Sequence, residues 1–271
     1  MMPPNTSQQT RYLPSQPVPE EISPCNRTRP HLILTLRRTG GTSLAGFLGR
    51  VSSFPGVQHE PFNPDRIWGE TTRAFRESGD REALEAAVAA RLGERPNIKH
   101  CIEVVPFALT RALVTAAAAH DYRLFVLTRR DEARRIASLE LARATGAWGA
   151  RQAAAIYPEI RAGRRQPRPI DPEVARRRMG QDAAALGRVL ALLRHRGLDW
   201  QWLVFEELYR GETPIETQAR RLAADLGVKV GPDDPRLEMF AQGSGQGSET
   251  IAAHVPGYDA LKAMLARKAA N

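Results

Sequence analysis

The stretch HLILTLRRTGGTSLAGFLGRV, residues 31–51, constrains the fold more than any other part of the chain. It opens on a near-continuous apolar run, the pattern of a strand covered on both faces in a parallel sheet. It closes on apolar residues at helical spacing. Between them lies RRTGGTS, Arg37 to Ser43. A strand, a glycine-containing turn and a helix start together aim backbone N–H groups and a positive dipole end at one place, where an anion is favoured. Gly40 and Gly41 allow close approach to the backbone, Thr42 and Ser43 add hydroxyl donors, and Arg38 adds a formal charge beside Arg37 and Thr39. The lysine of G-x-x-x-x-G-K-[ST] is absent, so this is not the phosphate loop of ATPases. A polar turn capped by Thr42 or Ser43 explains the same residues without a ligand.

From residue 31 onward, short apolar runs alternate with longer helical ones, which predicts βαβ units. Strands are expected at 31–36, about 56–59, 98–102, 122–128 and 201–205. Helices are expected at 43–51, 80–92, 107–120, 131–145, 172–196, 214–226 and 257–269. Asp80, Asp131 and Asp171-Pro172 have the form of helix caps, and Thr213-Pro-Ile-Glu216 that of a capping box. Residues 158–171 look like an inserted loop. The expected fold is α/β: a P-loop-like three-layer sandwich with a central parallel sheet of about five strands flanked by helices. Residues 1–29, rich in Pro, Ser, Gln and Asn, are expected to be a flexible tail, and 30–271 one domain. No run of about 18 apolar residues is present, so no membrane span is expected, and the N-terminus lacks the layout of a signal peptide. Only Cys25 and Cys101 occur, without metal-like spacing, which fits a cytoplasmic protein with Cys101 as a buried strand residue.

The formal net charge of +9 is carried almost wholly by arginine. It suits phosphate, sulfate, nucleic acid or an anionic surface, and by itself selects none of them. Two further segments carry chemistry. In LTRRDEARRIASLELARATGAW, residues 127–148, Arg130 ends a strand and Ser138 lies two helical turns past Asp131, so the pair can grip one anion. The plainer reading is an amphipathic helix with Ile136, Leu139 and Leu141 buried and its arginines, Arg134, Arg135 and Arg143 above all, solvated. In VQHEPFNPD, residues 57–65, His59 and Glu60 enter a proline-rich loop, where either could take a proton from a hydroxyl. Adjacent residues of an extended segment face opposite ways, so only one enters the site.

The set RRTGGTSL, HEPF, LTRRDEARRIASLELARATGAW and LVFEELYRGETPIETQARRLAADLGV resembles, in order and spacing, bacterial sulfotransferases that use 3′-phosphoadenosine-5′-phosphosulfate (PAPS). The likeness is to the trehalose-2-sulfotransferase-like and other carbohydrate sulfotransferases, over roughly residues 31–228. It implies that Arg38, Thr39, Gly40, Gly41, Thr42 and Ser43 cradle the 5′-phosphosulfate, with Arg38 where other branches have lysine. It implies that Arg130 and Ser138 hold the 3′-phosphate, and that Glu60 is the general base, with His59 filling that role in other branches. Lys99 resembles a lysine that opens a strand near the site, and Trp148 falls on the acceptor side. Phe205 stands where relatives often have tyrosine, and a glycine-rich 3′-phosphate segment is not evident, although QGSGQGSET at 242–250 could serve as a loop over the nucleotide.

The activity so implied is in-line transfer of a sulfuryl group to the hydroxyl of a carbohydrate or other small molecule, leaving 3′-phosphoadenosine 5′-phosphate (PAP). It calls for positioning and charge stabilisation and for no metal. Trp148, Tyr157, Trp68 and Phe62 are candidates for an apolar acceptor wall, and Arg161, Arg164, Arg165 and Arg168 for contacts to an anionic acceptor or plain solvation. Related enzymes are often dimers. The rivals are a small-molecule kinase, which would want the loop lysine and acidic magnesium ligands, and a basic nucleic-acid-binding protein, which would want a continuous basic stripe. No nucleic-acid partner is expected.

Overall fold

The computed structural model describes residues 27–57, 59–241 and 247–269. Strand β1 (His31–Thr35) leads into helix α1 (Gly41–Val51), followed by α2 (Gly69–Ser78) and α3 (Arg81–Leu92). Strand β2 (Ile98–Cys101), α4 (Phe107–Ala119), β3 (Arg123–Thr128), α5 (Glu132–Thr145), α6 (Ala150–Arg161) and α7 (Pro172–His195) come next. Strand β4 (Trp200–Val204), α8 (Phe205–Arg210), α9 (Ile215–Asp225), α10 (Pro235–Ala241), a 3₁₀ helix (Ser248–His254) and α11 (Tyr258–Ala269) complete the described chain.

The strands form one parallel sheet in the order β2-β1-β3-β4. Alternation along the strands divides their apolar side chains between two cores. Leu32, Leu34, Ile98, Leu124 and Val126 face α3, α4 and the second half of α7. Ile33, Phe125, Leu127 and Leu203 face α1, α8, α9 and α10. The protein is therefore α/β, with a parallel sheet flanked by helices on both faces. A third apolar cluster joins α5, α6, the first half of α7, the 3₁₀ helix and α11.

The strand order also locates the site. Moving from β1 to β2 goes one way along the sheet, whereas β2 to β3 and β3 to β4 go the other way. Right-handed crossovers then put α1 on one face and α4 and α7 on the other, as the two cores show. The loops leaving β1 and β3 diverge and open a crevice at the carboxyl ends of these adjacent strands. Open α/β sheets bind ligands in such a crevice.

Four strands are present among the described residues, not five. The segment at 56–59 makes only an isolated bridge from Gly56 to Asn97. Asn97 N–H donates to Pro55 C=O at 2.8 Å, and Glu60 N–H to Lys99 C=O at 3.1 Å. Five residues on one side thus span two on the other, and no ladder can keep that register. The caps at Asp80, Asp131 and Asp171 form, accepting from Ala83, Arg134, and Glu173 with Val174, respectively. The expected capping box does not: α9 starts after Pro214 with no side-chain cap. The expected loop at 158–171 begins inside α6, which accommodates Pro158. Most of the expected tail lies outside the described residues. Arg27 and Arg29, its last part, pair with Asp121. No helix among the described residues is long and apolar enough to cross a membrane.

Two histidines are sealed into the sheet. Burial lowers the pKa of His31 to about 3 and, despite the opposing pull of Glu60, that of His100 to about 4. In the unfolded chain both titrate near 6.5. Each therefore stays neutral when folded, and its stabilising contribution is complete above about pH 6.5 and is lost as pH falls toward the folded value. Urea midpoints should drop between pH 7 and 5, before most carboxylates titrate, with up to about 1.4 kcal/mol per pH unit from each histidine. A flat profile over that range would contradict their burial as neutral groups.

Candidate active site at the carboxyl ends of β1 and β3

The loop Leu36–Gly40 is fastened by its carbonyl oxygens. The Thr39 hydroxyl donates to Leu36 C=O at 2.7 Å, and Arg135 to Arg37 C=O at 3.1 Å. Arg129 donates to Arg38 C=O at 3.2 Å, and the Tyr209 hydroxyl to Gly40 C=O at 3.1 Å. Glu103 accepts from both the backbone N–H and the side chain of Arg37, each at 2.9 Å. With these oxygens held by protein donors, the electropositive first turn of α1 is left to face the crevice. Arg135 is completely buried and ion-paired to Glu132 and Asp182. Burial alone would lower its pKa, but the two carboxylates outweigh that and raise it above the ordinary guanidinium value.

Two residues of the loop are left-handed. Arg38 has φ 69° and Gly40 φ 79°. A side chain at Gly40 would be strained by that angle and would meet Phe205, whose Cδ2 lies 2.6 Å from the position a Cβ would take. Gly41 is tight for another reason, since its Cβ would lie 3.1 Å from Lys99 Cε. The loop glycines thus bring α1 close to α8 on one side and to Lys99 on the other.

Arg38 is the cation at the centre of this crevice. Its Nε donates to Ser138 Oγ at 3.0 Å and its Nη1 to Trp148 C=O at 3.1 Å. It is half-buried, and among the described residues no carboxylate pairs with it. Burial therefore pulls its pKa below the ordinary guanidinium value, although it stays charged at neutral pH. An anion here would meet a partly desolvated fork of donors beside a helix start, where charge–charge attraction exceeds that in water.

Glu60 and Lys99 meet at the edge of the same crevice. Lys99 Nζ lies 2.6 Å from Glu60 Oε1 and 3.4 Å from Thr42 Oγ1, and Asn63 donates to Glu60 Oε2 at 2.7 Å. Burial alone would raise the Glu60 pKa, but Lys99 foremost, with help from Cys101 and Asn63, brings it down to about 2. Glu60 is a carboxylate at every physiological pH. It occupies a left-handed turn, φ 57°, not an extended segment, and His59 beside it is exposed.

The other residues named from sequence are placed as follows. Arg130 does not meet Ser138. Its side chain is exposed and pairs with Glu207 at 2.5 Å, and Ser138 binds Arg38 instead. Arg37 pairs with Glu103, and its guanidinium lies 5.5 Å from the centre of the Trp148 ring. Thr39 is buried, hydrogen-bonded to Thr35 as well as to Leu36, so its hydroxyl braces the loop and offers nothing to a ligand. Thr42 is exposed and Ser43 half-buried in the first turn of α1. Phe62 is fully buried against Trp68 and presents no surface to an acceptor. Phe205, which stands where relatives by resemblance often have tyrosine, has the guanidiniums of Arg129 and Arg210 4.6 Å and 5.6 Å from its ring centre, and Tyr209 one turn later brings a hydroxyl to the loop. Residues 242–246 lie outside the described residues, and residues 248–254 form the 3₁₀ helix.

Sequence reasoning missed Arg129, Arg135, Glu103 and Tyr209. Arg135, expected to be solvated like Arg134 and Arg143, is fully buried, and among so many arginines composition does not mark it. A partial signal existed for Arg135, which lies on the same helical stripe as Ile136 and Leu139. No family model and no curated protein matches the chain.

The Lys99–Glu60 pair makes a direct prediction. In Lys99→Met the Glu60 carboxyl keeps its burial and loses its main counter-charge, so its pKa should climb from about 2 to above the usual 4.3. Carboxyl-carbon NMR titration reads this directly, and an unchanged Glu60 titration would show that Lys99 is not what holds it ionised.

Proposed function

We propose that the chain is a sulfotransferase that moves the sulfuryl group of PAPS to a hydroxyl of a carbohydrate or other small-molecule acceptor, on a P-loop-like α/β sandwich. The observation that carries this reading is Arg38. It is a half-buried guanidinium without a carboxylate partner among the described residues, at a sheet switch point, on a loop whose carbonyls are tied back. That arrangement favours a multiply charged anion, and the likeness of RRTGGTSL, HEPF and the 127–148 segment to PAPS-dependent enzymes favours this one.

The donor set fits the nucleotide. Arg38, the first turn of α1 and Thr42 would hold the 5′-phosphosulfate. Ser138, one bond from Arg38, and Arg130, whose exposed side chain can leave Glu207, would hold the 3′-phosphate. PAPS supplies an activated sulfuryl group. Arg38 and the α1 N-terminus lower the energy of negative charge growing on the leaving phosphate oxygen. Glu60 receives the acceptor hydroxyl's hydrogen bond and takes its proton. With a pKa of about 2 it is a weak base, so the proton moves late, once the new oxygen–sulfur bond has made the hydroxyl strongly acidic. Lys99 keeps Glu60 ionised and adds a second cation beside Thr42.

Titration calorimetry with PAP, ATP and duplex DNA separates this reading from a kinase and from a nucleic-acid-binding protein. PAP should bind best. Arg38→Asn, which keeps a residue tolerant of the left-handed backbone, should weaken PAP binding about 10- to 100-fold. Glu60→Gln should leave PAP binding intact and lower sulfate transfer about 10²- to 10⁴-fold. PAP binding no tighter than ATP would sink the proposal, and loss of PAP binding in Glu60→Gln would remove Glu60 from the base role.

A further inference from the structure

Trp148 stands in the turn between α5 and α6 and is 42% exposed. Its carbonyl receives Arg38 at 3.1 Å, and the Arg37 guanidinium lies 5.5 Å from its ring centre. Further arginines gather beyond it. Arg143 lies in the last turn of α5, Arg178 in α7, and Arg165 and Arg168 in the segment joining α6 to α7. Arg168 N–H donates to Ala144 C=O at 2.9 Å, which docks this segment on the end of α5. The Arg165 Nη2 lies 3.2 Å from the position a Cβ would take at Gly146, two residues before Trp148.

The counter-charge here is short. Glu140 serves both Arg178, at 2.7 Å, and Arg143, at 3.8 Å, while Glu103 serves Arg37. Burial lowers the Arg143 pKa, and Arg178, Arg37 and Arg168 push it the same way, so four guanidiniums share one neighbourhood. Of the four arginines at 161–168, two have partners outside this patch: Arg164 pairs with Glu159 and Arg161 donates to Thr250. Among the described residues no carboxylate pairs with Arg165 or Arg168. The carboxyl end of α5 offsets part of the repulsion through its dipole. It does not account for an exposed tryptophan beside the same charges.

Building on the sulfotransferase reading, we propose that Trp148 with Arg143, Arg165 and Arg168 forms the acceptor subsite, and that it takes a hydroxylated ring bearing an anionic group of its own. The indole face supplies a flat apolar surface for the ring, and the guanidiniums supply paired donors for a carboxylate or sulfate. Arg38, bound to the Trp148 carbonyl, ties this subsite to the anion cradle. Two sources share this chemistry: an acidic saccharide and a hydroxyaromatic acid.

Ligand-observed NMR titrations test it with glucuronic acid against glucose, and 4-hydroxybenzoate against phenol, each without and with PAP. In the wild-type protein one acid should bind at least about tenfold more tightly than its neutral counterpart, and which pair shows the gap identifies the source. The surface double variant Arg165→Ala/Arg168→Ala should abolish that preference while keeping PAP affinity within about twofold. Equal binding of acid and neutral compound, or a preference that survives in the double variant, overturns the proposal. A comparable loss of PAP affinity in that variant also overturns it, because the arginines would then serve the nucleotide. The titrations without PAP stand apart from the sulfotransferase reading, so failure of PAP to bind and failure of the acid preference are separate results.

Discussion

The crevice depends on how the loop after β1 is held. A glycine-containing turn has many conformations open to it and no reason of its own to present N–H groups outward. Here four donors, from the segment just after β3, from α5, from α8 and from the loop itself, take the carbonyls of Leu36, Arg37, Arg38 and Gly40. The buried Arg135 is central among them, because it joins Arg37 to Glu132 on α5 and to Asp182 on α7. Removing a single member of a buried ion pair leaves a charge uncompensated, typically at about 3–5 kcal/mol, so this brace resists piecemeal loss. The left-handed strain at Arg38 persists because the surroundings fix it.

The same network sorts a crowd of like charges. Arg37, Arg129, Arg130, Arg134 and Arg135 all lie on the segments leaving β1 and β3, and each has a carboxylate within salt-bridge distance. Arg38 has none among the described residues, although it sits deeper than Arg130 or Arg134. Lys99 is buried yet matched by Glu60, whose carboxylate it keeps ionised. On these two segments the guanidinium left without a carboxylate among the described residues is therefore that of Arg38, and Arg165 and Arg168 likewise have none. Net charge alone says nothing of that placement.

The sheet and the loop were legible in the sequence because their constraints are local. Burial on both faces demands the apolar runs of β1 and β3, and Asp80, Asp131 and Asp171 announce their helices by side chains that cap them. Helix α2 was not legible, since GETTRAFRES is mostly polar and starts at Trp68 without a side-chain cap. Helix α6 was obscured by Pro158, which reads as a breaker. The segment 56–59 was over-read, because two bonds to the edge of β2 do not make a strand. In the site, Arg38, Gly40, Glu60 and Ser138 could be named from motifs. The pairing of Ser138 with Arg38 and the bracing by Arg129, Arg135 and Tyr209 could not. These contacts join residues 91 to 169 positions apart, and their partners are set only by the packing of α5, α7 and α8 around the sheet.

The central claim is that the loop after β1 and the first turn of α1 form a preorganised anion site. Amide ¹H–¹⁵N shifts of residues 36–48 during titration with PAP test it most directly. The account predicts that the largest changes fall at residues 38–43, with the Arg38 side-chain N–H signals moving alongside. Saturable PAP binding that leaves those amides unmoved, with the changes elsewhere on the surface, would contradict it.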